Sequence, residues 1–265
     1  MKIKQIVSAL ERFAPLPLLD GFDNAGLQIG LTEAEATGTL LCLDVTEAVL
    51  DEAIALGYNL VISHHPLIFK GYKSITGKDY VERCILKAIK NDIVIYSAHT
   101  NLDNAYGGVN YKIAEKIGLK NLQVLEPKEN SLQDDLTQVG AGIVGELDEP
   151  ETELEFLKRI KKTFEVGCVR HNRLTGREIQ KVALCGGAGA FLLPQAIRAG
   201  ADVFITGEIK YHDYFGHEGD ILMAEIGHYE SEQYTKEIFY TIIRDLFPNV
   251  EVQQSKINTN PIKYM

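Results

Sequence analysis

From Gly38 the chain reads TLLCLDV, then TEAVLDEAIALG, then NLVISHH. The outer pieces are short apolar runs of strand length. The middle piece is helical in length, with Thr46 placed to cap its start and Gly57 to end it. A strand, a helix and a strand in that order predict a parallel pair joined by a right-handed crossover. A further helix (DYVERCILKAIKN), a strand (DIVIYSAHT) and the loop NLDNAYGG extend the unit, so the first half is α/β.

The pattern returns later in the chain. Past Leu125 the stretch PKENSLQDD reads as a polar linker, and it is followed by a strand (GAGIVGEL), a helix (PETELEFLKRIKKTFE) and a second β-α-β run: KVALCGG, AFLLPQAIRAG, ADVFITGE. DILMAEIGH is one more strand and SEQYTKEIFYTIIRDLF a long amphipathic helix. Cys42 to Ser63 spans 21 positions and Cys185 to Thr206 also spans 21, which suggests a diverged internal duplication.

Bulk properties narrow the setting. With 265 residues, 45% of them hydrophobic and 24% charged, the chain has the composition of an ordinary soluble protein, and no apolar run is long enough to cross a bilayer. The N-terminal MKIKQIVSALERFAPL carries Glu11 and Arg12 inside an amphipathic pattern, so it is expected to be a first helix and not a signal-peptide core. Cys42, Cys84, Cys168 and Cys185 are scattered, form no CxxC pair and read as buried thiols in a reducing cytoplasm. A net charge of −10 argues against bulk nucleic-acid binding, while a bound cation and a few lysines can still admit a single nucleotide.

Parallel α/β sheets bind ligands beyond the carboxyl ends of their strands. Four such ends carry polar residues here: His64 with His65, His99 with Asp103, Gly207 with Glu208, and His228 with Glu232. Three of them have a plainer reading. A histidine pair can cap a strand, His99 and Asp103 can hold a turn, and Glu232 can sit in the first turn of a helix. The convergence of imidazole and carboxylate, without thiolate, favours a site for zinc, manganese or iron, with donors enough for two ions. His171 in VRHNRL reads as a surface residue, and His217 in KYHDYFGHEG as structural. His212 in that loop is a candidate supporting group. CGGAGA lacks nucleotide-fingerprint spacing and reads as a tight strand-to-helix turn, the alternative being backbone amides brought to a phosphate at the following helix N-terminus.

The segments SHHPLIF, SAHTNLDNAYGGVN, ALCGGAGA, TGEIKYHD, GHYESE and NTNPIKYM, in this order, resemble the GTP cyclohydrolase 1 type 2 family, also called the NIF-three-like family. FDNAGLQIG is similar to its N-terminal signature, with Phe22 where tryptophan is commoner. The resemblance runs from about residue 20 to the end of the chain. It implies two linked three-layer α/β domains of related topology, expected here at 1–125, completed by 236–265, and at 126–235. It also implies a toroidal homohexamer and a site at strand C-terminal ends near the domain interface. There two divalent ions are held by His64, His65, Asp103, His228 and Glu232, with a carboxylate, Glu232 being the candidate, bridging them.

The resemblance implies opening of the GTP imidazole ring to give formate and 7,8-dihydroneopterin triphosphate. His99, Glu208 and His212 are candidate catalytic proton carriers, and Lys70, Lys73 and Lys210 candidate triphosphate partners. The alternatives are another two-metal hydrolase acting on phosphate esters, and a non-catalytic, ring-shaped metal-binding interaction protein. At this length the chain resembles the family's shorter form, without a large inserted domain.

Overall fold

The computed structural model describes residues 1–128, 139–217 and 219–265. Its contacts divide the chain into two units, Met1–Leu102 with Thr235–Pro261, and Asp103–Tyr234 with Ile262–Met265.

The first unit is built on a five-stranded sheet. Its strands are β1 (Gly26–Ile29), β2 (Thr39–Cys42), β3 (Leu60–Ser63), β4 (Val94–Ser97) and β11 (Val252–Gln254), in the order β1-β4-β3-β2-β11. β4, β3, β2 and β11 run parallel, and β1 closes the edge antiparallel to β4. Helices α2 (Glu47–Leu56) and α3 (Tyr80–Lys90) cover one face. There Val49, Leu50, Ala53, Cys84, Ile85 and Ala88 pack on Leu40, Cys42, Val61 and Ile95. Helix α9 (Thr235–Leu246) packs on β2, β11 and α1 (Ile3–Phe13), giving the third layer. Thr46 caps α2 by accepting from the Val49 amide, and Gly57 ends it in the left-handed region at φ 71°. Both match the sequence expectation.

The second unit has a six-stranded sheet made of β5 (Lys120–Pro127), β6 (Gly140–Thr152), β7 (Arg170–His171), β8 (Glu178–Cys185), β9 (Val203–Thr206) and β10 (Leu222–Glu225). Its order is β5-β6-β8-β9-β10-β7. β8, β9 and β10 run parallel, while β5, β6 and β7 pair antiparallel. Helix α7 (Leu193–Arg198) covers one face, with Leu193 and Ala196 on Ala183, Phe204 and Met223. Helices α5 (Val109–Ile117) and α6 (Glu153–Thr163) pack on β6 and β8.

Several expectations shift. The division falls at Leu102/Asp103, not at 125/126, because α5 packs on β6 and β8 while β5 pairs with β6. The last four residues, Ile262–Met265, join the second unit: the Tyr264 ring packs against Gly167. The residues PET, expected to begin a helix, belong to β6, and Thr152 caps α6 by accepting from the Glu155 amide. Most of the expected linker PKENSLQDD lies outside the described residues. Cys42, Cys84 and Cys185 are buried, Cys168 is exposed, and all four are free thiols. Among the described residues no helix is long and apolar enough to cross a membrane.

Candidate metal centre

The ends of β3 and β4 carry the first group of donors. Beyond Ser63 the backbone stays attached to the neighbouring chain: the His64 amide donates to the Cys42 carbonyl at 3.3 Å and the His65 amide to Leu43 at 3.0 Å. The Ser63 hydroxyl then donates to the His65 carbonyl at 2.8 Å, holding the turn that precedes Pro66. The two imidazoles come to 4.9 Å between centroids. His99, two residues past β4, brings its ring within 5.2 Å of His64 and 5.4 Å of His65. Nitrogens of all three lie within 4.8 Å of one another.

Each ring is oriented through Nδ1. His64 donates from Nδ1 to the Ala98 carbonyl at 2.9 Å. His65 Nδ1 contacts Asp44 Oδ1 at 2.7 Å, and the other Asp44 oxygen accepts from the Thr259 hydroxyl. His99 Nδ1 contacts Asp23 Oδ1 at 2.8 Å, and Asp23 also accepts from the Thr100 amide and hydroxyl. Burial pushes the Asp23 carboxyl up, but the hydrogen bonds from His99 and Thr100 outweigh it and hold its pKa at about 2. Asp44 is likewise held below the usual range, because contacts with His65 and Thr259 overcome the cost of burial. With Nδ1 as the donor, Nε2 of each ring carries the lone pair.

The second unit supplies carboxylates. Asp103 ends the short helix α4 (Thr100–Asp103), and its carbonyl accepts from Asn110 Nδ2 at 3.1 Å. His228 and Glu232 begin and end helix α8 (His228–Glu232), so the i,i+4 spacing puts both on one side of it. His228 Nε2 lies 3.1 Å from Glu232 Oε2, and His228 Nδ1 lies 2.7 Å from Glu208 Oε1. Asp103 and Glu232 bring carboxylate oxygens within 4.8 Å of each other. Glu232 is buried, and the turn after β8 makes room for it. A Cβ on Gly187, at φ +59°, would stand 2.3 Å from Glu232 Oε1. The glycine run CGGAGA is thus a tight turn, as expected, that also lets backbone approach a carboxylate.

The donor set suits divalent ions. A neutral imidazole has one N–H, yet His228 faces a carboxylate oxygen at each nitrogen; only one contact can be its hydrogen bond, and the other asks for a cation or a second proton. Carboxylates a few ångströms apart repel unless a positive charge joins them. Imidazoles held through Nδ1 by an oxygen acceptor are the usual arrangement behind metal-binding nitrogens.

Of the expected catalytic group, His99 joins the first unit's histidines, and Glu208 acts on His228. His212 is exposed on the turn Tyr211–Tyr214 and lines a cleft of about 540 Å³ with Glu208, Lys210 and His217. His171 is exposed in β7, as expected. Asp23 and Asp44 were not singled out from the sequence. Asp44 lies two residues past β2, as His65 does past β3, and that shared offset was the available signal.

The model of the Duf34/NIF3 (NGG1p interacting factor 3) family matches residues 1–261. The chain belongs to this family. Among Duf34/NIF3 relatives, a protein of Clostridium perfringens named GTP cyclohydrolase 1 type 2 homolog is 37% identical over 235 residues, 88% of this chain and 87% of its own. One of the same name from Lactococcus lactis is 34% identical and covers 98% of both chains. The crystal structure of a Staphylococcus aureus hypothetical protein superposes with a TM-score of 0.91 at 32% identity, covering 100% of this chain and 99% of that one. A Bacillus cereus protein related to NIF3 gives 0.89 at 27% identity, with the same coverage. The mixed α/β architecture in two multi-stranded sheets is thus that of the family.

Proposed function

We infer that the protein is a dinuclear metal-dependent hydrolase of the GTP cyclohydrolase type. In this reading His64, His65, Asp103, His228 and Glu232 hold two divalent ions, zinc, manganese or iron. The observation that carries it is the orientation of the imidazoles: His64, His65 and His228 each have Nδ1 against an oxygen acceptor, so that Nε2 is the nitrogen with which each would ligate an ion. Divalent ions there would lower the pKa of a coordinated water and polarise the ring carbon under attack.

The chain's own residues do the rest. Asp44 fixes the His65 ring, and Glu208, expected as a catalytic group, is a positioning residue for His228. His99, oriented by Asp23, is the proton carrier at Nε2. The relatives' shared name supports a nucleotide substrate, GTP being the first to try. The homohexamer and the cytoplasmic setting belong to the same proposal; sedimentation tests the first, and the free thiols support the second.

Metal-loaded protein is incubated with GTP and with a generic phosphodiester, and formate, pterin fluorescence and phosphate are monitored. Formate and pterin that vanish in His65→Ala and His228→Ala are the expected result. Phosphate release alone would move the assignment to phosphoester hydrolysis. No turnover at full metal occupancy would make the protein a non-catalytic binding module.

A further inference from the structure

Phe22 and Phe69 are 67% and 46% exposed, and they stand beside the histidines of the first unit. Their ring centroids are 6.4 Å apart with planes inclined at 38°. Phe69 is edge-on to His99, at 6.1 Å and 75°. The backbone on which both rings stand is clamped. Asp23, next to Phe22, is tied to His99 and Thr100. Asn24 donates from Nδ2 to the Ile68 carbonyl at 2.6 Å, and the Ile68 amide donates to Gln28 Oε1 at 3.2 Å. The chain has therefore ordered two phenyl rings at the edge of the histidine cluster while leaving both open to water.

Charge adds a second observation. Lys70 comes directly after Phe69, and Lys73 lies three residues on. Among the described residues neither pairs with a carboxylate, whereas Lys2, Lys4, Lys78, Lys87 and Lys112 all do. In a chain of net charge −10, two lysines without a carboxylate partner that follow Phe69 in the sequence complement an anionic ligand with a flat ring.

We propose that Phe22 and Phe69 form a stacking platform for the purine ring of a nucleotide, with Lys70 and Lys73 meeting its phosphates. This rests on the reading of the adjacent histidines as a nucleotide-processing centre. The platform presents the ring to His99, and phosphate esters that lack a ring gain nothing from it.

The chain contains no tryptophan, so Phe22→Trp places a single indole reporter on the platform. Metal-loaded Phe22→Trp protein is mixed in a stopped flow with GTP, guanosine or pyrophosphate, and the quench is read before turnover. GTP and guanosine quench the indole and pyrophosphate does not. Adding Phe69→Ala weakens GTP about tenfold, and replacing Lys70 and Lys73 by alanine weakens GTP while sparing guanosine. GTP bound by calorimetry without quenching, or unchanged affinity in Phe69→Ala, would overturn the proposal. So would a change in oligomeric state in Phe22→Asp, which would mean that a second copy covers the rings. Pterin turnover without quenching removes the platform and leaves the hydrolase reading; quenching without turnover does the reverse.

Discussion

The strand order β1-β4-β3-β2 in one unit is matched by β7-β10-β9-β8 in the other, each with an antiparallel edge strand and three parallel ones. The register matches too: Cys42 stands opposite Ser63, and Cys185 opposite Thr206, both across the same 21-residue interval. The residues just beyond the strand ends differ. Past β3 come His64 and His65, whereas past β9 come Gly207 and Glu208; past β2 comes Asp44, whereas past β8 come two glycines. One scaffold thus offers imidazoles backed by aspartates, and the other carboxylates backed by glycine. The outer flank also differs, since β11 extends the first sheet in parallel while β6 extends the second antiparallel. A helix-start glutamate holds a Thr-Gly turn in each unit: Glu82 with Thr76 and Gly77, Glu153 with Thr175 and Gly176. Diverged strand ends on a retained sheet core are what site variation on a fixed scaffold looks like.

If both ends serve one chemistry, removing a donor from either unit has the same large consequence. His65→Ala and Glu232→Ala are each expected to lower turnover by more than about a hundredfold, beyond the range typical of outer partners. A loss confined to one unit would break the comparison. The supporting groups differ more. Asp44 is fixed by Thr259, while the Glu208 side chain is 57% exposed. Asp44→Asn should therefore weaken metal affinity by nearer about a hundredfold and Glu208→Gln by nearer about tenfold, read by competition with a chelating dye.

The glycines are a third difference. Gly187→Ala sets a Cβ against Glu232 in a left-handed conformation, and it should cost more than about 1 kcal/mol, seen as a melting point lower by roughly 2–4 °C. An unchanged melting point would show that the turn gives way.

The smallest effect concerns Glu82. Burial pushes its carboxyl up, but the Thr76 and Lys78 amides and the Thr76 hydroxyl outweigh it and hold the pKa at about 2. An unfolded glutamate titrates near 4.3, roughly. The stabilisation is thus present above about pH 4.3 and is lost as pH falls towards 2. Glu82→Gln should melt lower than the parent at pH 7, and the gap should close below about pH 4. A gap independent of pH would mean that shape, not charge, holds the turn.

Much of this was legible in the chain because its signals are local. The β-α-β units show as apolar runs ended by Gly57 and Gly200, and the donors as polar residues just past those runs. The rest depends on distant pairing. Asp23 reaches His99 and Thr259 reaches Asp44 only once the sheet has assembled, so no spacing announces them. β7 has two residues and β11 three, too few for alternation to register. The division at Leu102/Asp103 is hidden because α5 looks like a continuation of the first half until β6 and β8 provide the surface it covers.

The proposal that His64, His65, Asp103, His228 and Glu232 hold two ions is tested most directly by electron paramagnetic resonance of the manganese-loaded protein. Two ions about 3.5–4 Å apart, as in two-metal sites, share ligands and couple magnetically. A spin-coupled pair is expected in the parent, with loss of the coupling in both His65→Ala and Glu232→Ala. Isolated-ion spectra in the parent at full loading, or coupling that survives either substitution, would contradict it.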